Sequence, residues 1–329
     1  MYWGSHPPKQ PGRFKFCSQH IQKSCSIESL KPKTTKNRSD INLLVFRFNK
    51  APILDHTKSE NYSTVFYQME SPWYHRDDYR KYDQFYDYIM SYRLDSSIPW
   101  PYGTVYEQKQ LLKEEGIAWK IPASRKISSE KSGGVLAIVS NCKSGYRNKI
   151  LKHFKENIFW PNGTSAFDFY GKCSGHRFQT DDFLKFRKKY RFYLAIENSR
   201  CLDYITEKFW QTIWTESVPI VAGQPRSNYE RLIHKNAFIH LDDYKGDLKN
   251  LTDHINRLLT DNYGYDQYFE WRNEEPPYDY LYGTQDQFDQ QGFCKLCTTA
   301  ALNKTVQKED LQNFWYHNPD GGKACIGNK

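Results

Sequence analysis

The second half of the chain alternates short apolar runs with stretches whose apolar residues recur at helical intervals. The run 135–139 (Val-Leu-Ala-Ile-Val) is continuous and apolar, the pattern of a strand buried on both faces. Residues 146–155 have helix-compatible spacing, and 167–170 (Phe-Asp-Phe-Tyr) stop at Gly171 as a strand does. The pattern then predicts a helix over 183–190, a strand over 192–196, a helix over 205–214 and a strand over 218–222. A short helix over 228–233, a strand over 237–241 and a helix over 248–259 follow. Strands alternating with helices predict an α/β fold whose parallel sheet is covered on both faces. Such sheets bind ligands at the carboxyl ends of their strands.

The first part is less regular. Residues 42–46 and 65–69 are strand candidates, and 73–92 are crowded with tyrosines and charges, which predicts an exposed, functional surface more than core. A polar stretch at 124–134 reads as a linker. The expected division is an N-terminal domain at 1–125, a linker at 126–134, a second domain at 135–290 and a tail at 291–329. The length of 329 residues agrees with about two domains.

Hydrophobic residues make up 38% and the mean hydropathy is −0.84, yet aromatics reach 16%, too many for a disordered chain. Aromatic rings supply the core volume that aliphatics do not. No apolar run approaches the ~20 residues that span a bilayer. The charge is +9, from 47 basic against 38 acidic residues, which favours a phosphorylated or polyanionic ligand. Basic residues are scattered, densest at 185–191, with no nucleic-acid motif among them, so a solvated basic surface is the plainer reading and no nucleic-acid partner is expected.

Eight cysteines are present, Cys17, Cys25, Cys142, Cys173, Cys201, Cys294, Cys297 and Cys325. Five N-glycosylation sequons accompany them, at Asn37, Asn61, Asn162, Asn250 and Asn303. An even cysteine count with sequons points to disulfides and the secretory lumen. The rival is zinc. Cys294-Lys-Leu-Cys297 has knuckle spacing but no second close pair, so disulfides are favoured. The opening residues Met1-Tyr2-Trp3-Gly4 are not a signal peptide, so a fuller transcript is expected to encode an upstream apolar segment of ~20 residues.

The most informative stretch is 196–208, where a buried strand ends at Glu197-Asn198-Ser199 and a helix begins near Thr206. Free N–H groups at a helix start attract an anion. Lys208 in the first turn opposes the helix dipole, and a nearby phosphate would account for it. A second strand-to-helix turn brings Arg147, whose fork can hold two phosphate oxygens. The pair implies a diphosphate ligand; two ordinary charged helices are the alternative. Neither turn carries a dinucleotide or P-loop fingerprint.

These residues resemble glycosyltransferase family 10, the α-1,3/4-fucosyltransferases. The resemblance rests on Glu197-Asn-Ser199, Asp203-Tyr-Ile-Thr-Glu-Lys208 and Val218-Pro-Ile-Val221, and continues through Asn228-Tyr-Glu230 and Phe238-Ile-His240. It also covers Ala137-Ile-Val-Ser-Asn141, Asp168-Phe-Tyr-Gly171, Glu70-Ser-Pro72, and 91–97 ending in Pro101-Tyr-Gly103. The family's pattern is departed from at Thr215-Glu216, Ile150 and His234; these read as packing changes, with Glu216 expected to be exposed.

The resemblance implies a GT-B arrangement, two Rossmann-like domains facing a cleft, with GDP-fucose held mainly by residues 135–290. It implies an inverting transfer of fucose to a GlcNAc hydroxyl of a glycoprotein or glycolipid glycan. Arg147 and Lys208 would neutralise the diphosphate, Glu207 and Tyr204 would meet the ribose or fucose end, and Asn198 would shape the sugar site. Glu70 would be the general base, with Arg93 and Asp95 orienting it or the acceptor. Asp77, Asp78 and Asp83 read as surface charges, and Asp242-Asp243 as a loop cap and not a metal motif. No metal or other cofactor is required; a divalent ion would be stimulatory at most. The alternatives are a protein O-fucosyltransferase of the same family, a GT-B transferase using another GDP-sugar, and a non-catalytic secreted glycan-binding protein. The resemblance further implies a Golgi-lumenal enzyme whose membrane contact is an N-terminal anchor outside this sequence. It ties Cys17 and Cys25 to Cys294 and Cys297, with Cys142 expected to pair with Cys173 and Cys201 with Cys325. Acceptor identity and oligomeric state are not specified by the sequence.

Overall fold

The structure, a computed structural model, describes residues 14–25, 43–47, 63–74, 78–82, 85–176, 182–302 and 310–327. The chain packs as two compact units. The first comprises 1–101, 201–203 and 284–325, and the second 102–200, 204–283 and 326–329. Residues 102–125, expected with the first domain, pack in the second unit, and the expected linker is built into that unit. There Ile127–Glu130 form a 3-10 turn with Ile127 and Ser128 buried, and Gly133 already begins a strand. The turn is fixed from within, since the Ser128 N–H and hydroxyl donate to Asp266, each at 2.8 Å.

The second unit holds a five-stranded, all-parallel sheet. Its order is Ile239–His240, Val218–Val221, Tyr190–Leu194, Gly133–Ile138, Phe167–Tyr170. Every strand that the apolar runs predict is present; the strand expected at 192–196 lies two residues earlier. Val135, Phe192, Val218 and Ile220 sit in the core with no more than 1% exposure, each burial being worth about 1.5–3 kcal/mol. The helix Leu248–Leu258 presents Leu251, Ile255 and Leu258 on one face and starts at Asp247, whose carboxylate accepts the Lys249 and Asn250 N–H groups. After the sheet's edge strand, His240 caps the 3-10 turn Leu241–Tyr244, and Asp243 in that turn accepts the His240 N–H at 3.3 Å and an Arg226 guanidinium N–H at 2.6 Å. Gly103 lies where a Cβ would fall 2.2 Å from the Trp210 ring, so only glycine admits that indole.

The three departures from the family pattern are packing positions. Ile150 is in the core and His234 stacks on Trp271 at 6.2 Å. Glu216, expected to be exposed, is instead 4% exposed. Arg125 donates to both its oxygens, at 2.9 and 2.5 Å, and Arg272 to one at 2.7 Å. Burial raises the Glu216 carboxyl, but the two guanidinium groups outweigh it and hold the group below its usual range. A charged residue enters the interior here because two cations meet it. Glu216→Ala would strand the buried Arg272, and should lower unfolding free energy by about 3–5 kcal/mol, read as a lower denaturant midpoint.

The first unit holds a four-stranded parallel sheet in the order Leu43–Arg47, Ser63–Gln68, Tyr88–Ser91, Ile98–Pro99. The tyrosine-rich stretch is largely interior, against the expectation of an exposed surface. Tyr79, Tyr86, Tyr88 and Tyr92 are all buried. Tyr79, Tyr86 and Tyr92 gather around Phe66 and the fully buried Trp315, with edge-on contacts of 5.5 Å (Phe66–Tyr79), 5.4 Å (Phe66–Tyr86), 5.8 Å (Phe66–Trp315) and 6.2 Å (Tyr92–Trp315). The tail supplies an indole that the short strands lack in aliphatic bulk. Asp78 is exposed and pairs with Arg80; Asp77 and Asp83 lie outside the described residues.

Four disulfides form, Cys17–Cys294, Cys25–Cys297, Cys142–Cys173 and Cys201–Cys325. They match the implied pairing and leave no cysteine for zinc. The two long loops they close, of 277 and 272 residues, constrain the unfolded chain strongly. Asn162 and Asn250 are exposed, as sugar acceptors must be, while Asn37, Asn61 and Asn303 fall outside the described residues. Among the described residues no helix is long and apolar enough to cross a membrane.

Candidate active site

In the second unit the strands Gly133–Ile138 and Tyr190–Leu194 lie side by side, so the turns after them share one edge of the sheet. Arg147 is in the first turn of the helix Gly145–Asn157, whose Ser144 cap accepts the Arg147 N–H. Its guanidinium is 2% exposed and donates to the Asn141 and Ile196 carbonyls, the latter at 3.5 Å. It therefore spans both turns. The Cys142–Cys173 bond fixes the first of them from the other side.

The residue after Ile196 is Glu197, 5% exposed. It caps the helix Glu207–Trp214 from a distance. Thr206 N–H donates to one oxygen at 2.8 Å, and the Thr206 hydroxyl reaches both, at 2.7 and 2.9 Å. Thr206 itself makes no side-chain cap, so this carboxylate replaces one. Lys208 Nζ donates to Glu197 at 3.0 Å, to the Thr206 hydroxyl at 2.8 Å and to Glu207 at 3.1 Å. Burial opposes the Lys208 charge, but the two carboxylates overcome that and hold its ammonium above its ordinary range. Burial raises the Glu197 carboxyl in spite of Lys208, whereas Lys208 and Thr206 bring Glu207 below its usual range against burial. Beneath the turn, the buried Arg187 donates to the Lys208 carbonyl at 3.2 Å, Gln211 at 2.7 Å and Thr212 at 2.7 Å.

Arg147 and Lys208 thus meet the chain at adjacent residues, 196 and 197, on the carboxyl edge of a parallel sheet. Asn198 follows, half-buried, its side-chain oxygen accepting the Ser199 hydroxyl at 3.3 Å. Tyr204 is 3% exposed and packs edge-on against Tyr102 at 6.0 Å.

In the first unit Glu70 stands two residues beyond the strand Ser63–Gln68, in a turn held by local bonds. The Gln68 side chain accepts the Met69 and Glu70 N–H groups, both at 2.9 Å, and the Glu70 carboxylate accepts the Ser71 N–H at 3.2 Å. Glu70 remains partly exposed. Burial pushes the nearby Tyr92 hydroxyl well up, and it feels the charges of Arg93, Asp203, Glu70 and Asp95. Arg93, 1% exposed, forks onto Asp95 at 2.9 and 2.5 Å and donates to the Phe314 and His317 carbonyls. Its guanidinium also stacks on Phe314 at 4.2 Å. Arg93, held by Asp95, thus clamps the tail. Asp203, in a left-handed conformation at φ 56°, accepts the Leu94 N–H at 3.0 Å.

Glu197, Thr206 and Asp203 carry bonds that motif reading did not assign to them. For Glu197 the local signal is thin, since its partners lie nine and eleven residues on.

Residues 128–314 match the family model "Glycosyltransferase family 10 (fucosyltransferase) C-term", and residues 1–103 match "Fucosyltransferase, N-terminal". The chain belongs to glycosyltransferase family 10. A 4-galactosyl-N-acetylglucosaminide 3-alpha-L-fucosyltransferase of Gorilla gorilla gorilla is 32% identical over 280 residues, covering 81% of this chain and 65% of its own length. The alpha-(1,3)-fucosyltransferase 7 of Bos taurus is 29% identical, covering 82% of this chain and 72% of itself. A glycoprotein 3-alpha-L-fucosyltransferase A of Drosophila melanogaster is 29% identical over 263 residues, 77% of this chain and 47% of its own. This family 10 chain therefore spans between about half and three quarters of the length of these relatives. Among solved structures, an alpha1,3-fucosyltransferase with GDP-fucose aligns at a TM-score of 0.56 and 15% identity over 88% of this chain and 97% of that one. One with GDP aligns at 0.54 and 16%, over 87% and 96%. The shared fold is the two-unit, parallel-sheet GT-B class expected of family 10 members.

Proposed function

We propose that the chain is an inverting, GDP-fucose-dependent α-1,3-fucosyltransferase that acts on a GlcNAc hydroxyl of a glycoprotein or glycolipid glycan in the Golgi lumen. The observation that carries this reading is the meeting of Arg147 and Lys208 at residues 196 and 197, within the segment matched to the family 10 model. The second unit is the donor-binding domain. Arg147 and Lys208 face the diphosphate, Asn198, Tyr204 and Glu207 the sugar and ribose. The acceptor oxygen attacks the anomeric carbon, Glu70 takes its proton, and the bond from that carbon to the phosphate oxygen breaks with its electrons passing to GDP. Cations aimed at a leaving group lower the barrier because its charge grows in the transition state. With that charge met by side chains, transfer needs no divalent metal.

The test is an acceptor panel. Incubation with GDP-fucose and chelator should fucosylate lactosamine-type or N-glycan-core acceptors. Transfer only to peptides would favour a protein O-fucosyltransferase. Glycan binding with neither transfer nor donor hydrolysis would favour a non-catalytic lectin-like role.

A further inference from the structure

The ammonium expected to meet the donor's phosphates already has anions. Lys208 Nζ lies 3.0 Å from Glu197 and 3.1 Å from Glu207, one positive charge between two carboxylates. The two acids differ in kind. Glu207 stands at the helix start with its side chain 36% exposed, and can turn to solvent or ligand. Glu197 is 5% exposed and bound through both oxygens to Thr206, so it cannot leave. We propose that Glu197 is a built-in competitor for the donor's diphosphate, a positioning residue that holds the Lys208 side chain in place while weakening its pull on the nucleotide. The inference rests on the assignment of Lys208 to the diphosphate.

The chemistry favours such a device. A free ammonium on a flexible stem would cost side-chain entropy on every binding event, whereas a fixed one is preorganised. The same anion limits how tightly GDP, the product, is held after transfer. Once phosphate oxygens share the ammonium, the buried Glu197 carboxylate loses part of its stabilising partner, and a proton from solvent can replace it. The groups that face it are Thr206, Lys208 and Glu207 at the start of the following helix and Tyr229 on the Arg226–Glu230 helix. Burial already raises the Glu197 carboxyl, which agrees with proton uptake on binding.

Glu197→Gln tests this. The amide oxygen still accepts the Thr206 N–H, but the charge is gone. GDP-fucose should bind about tenfold more tightly by calorimetry, with a lower donor KM and no rise in kcat. A merely structural role predicts the opposite, weaker binding. An unchanged or weaker dissociation constant, alongside a Lys208→Ala variant that binds poorly, overturns the proposal and leaves the diphosphate assignment standing. A Lys208→Ala variant that binds normally removes the assignment itself. Should Glu197→Gln fail to fold, GDP-fucose titration of the parent protein in buffers of different ionisation enthalpy decides. The donor diphosphate has no proton to exchange near neutrality, so fractional proton uptake supports the proposal and none overturns it.

Discussion

Replacing Glu70 by Gln should lower kcat by about 10²–10⁴ while GDP binds as before, the range by which a positioned general base accelerates proton transfer. The substitution is chosen to leave the turn intact. Glu70 accepts one local N–H, from Ser71, and the Gln side chain can do the same. The Gln68 side chain continues to fix the Met69 and Glu70 amides. The ability to take a proton is removed, together with the negative charge. The measurement is steady-state transfer to the acceptor found best in the panel, with calorimetry for GDP. Transfer near the parent rate would remove Glu70 from the chemistry. A parallel loss of GDP affinity would mean that the substitution disturbed more than the base.

Lys208→Ala should weaken GDP binding by about 10- to 100-fold, the worth of a charge-assisted hydrogen bond to phosphate. It should also destabilise the fold. The ammonium is the cation of the buried Glu197, and removing it leaves that carboxylate with Thr206 alone. Breaking a buried pair by deleting one member costs about 3–5 kcal/mol. The two effects separate experimentally, because affinity is measured on folded protein and stability by denaturant. If stability falls and GDP affinity does not, Lys208 is a structural cation and the diphosphate lies elsewhere.

The order of elements in the second unit was legible because strand and helix write local periods. The run at 135–139 reads as a strand buried on both faces, and it lies inside the sheet between Tyr190–Leu194 and Phe167–Tyr170. The motif around Glu197 and Lys208 was legible as a strand-to-helix turn. Its chemistry was less so. Arg147 and Lys208 are expected to hold a diphosphate, and the protein itself also engages each, the first through two backbone carbonyls and the second through two carboxylates. Arg93 and Asp95, expected to orient Glu70 or the acceptor, bond to each other, and Arg93 also bonds to the tail.

The chain alone predicted that residues 135–241 alternate into a parallel sheet and that its carboxyl edge bears basic turns, because neighbours in sequence carry both signals. It could not determine which polar residues go inside. Glu216 was expected at the surface, and Tyr79, Tyr86 and Tyr92 within an exposed patch; all are interior. Whether a charge or a phenol can be buried depends on the partner that arrives to meet it. Those partners, Arg272 for Glu216 and Trp315 for Tyr92, come from 56 and more than 200 residues away. Only folding brings them together.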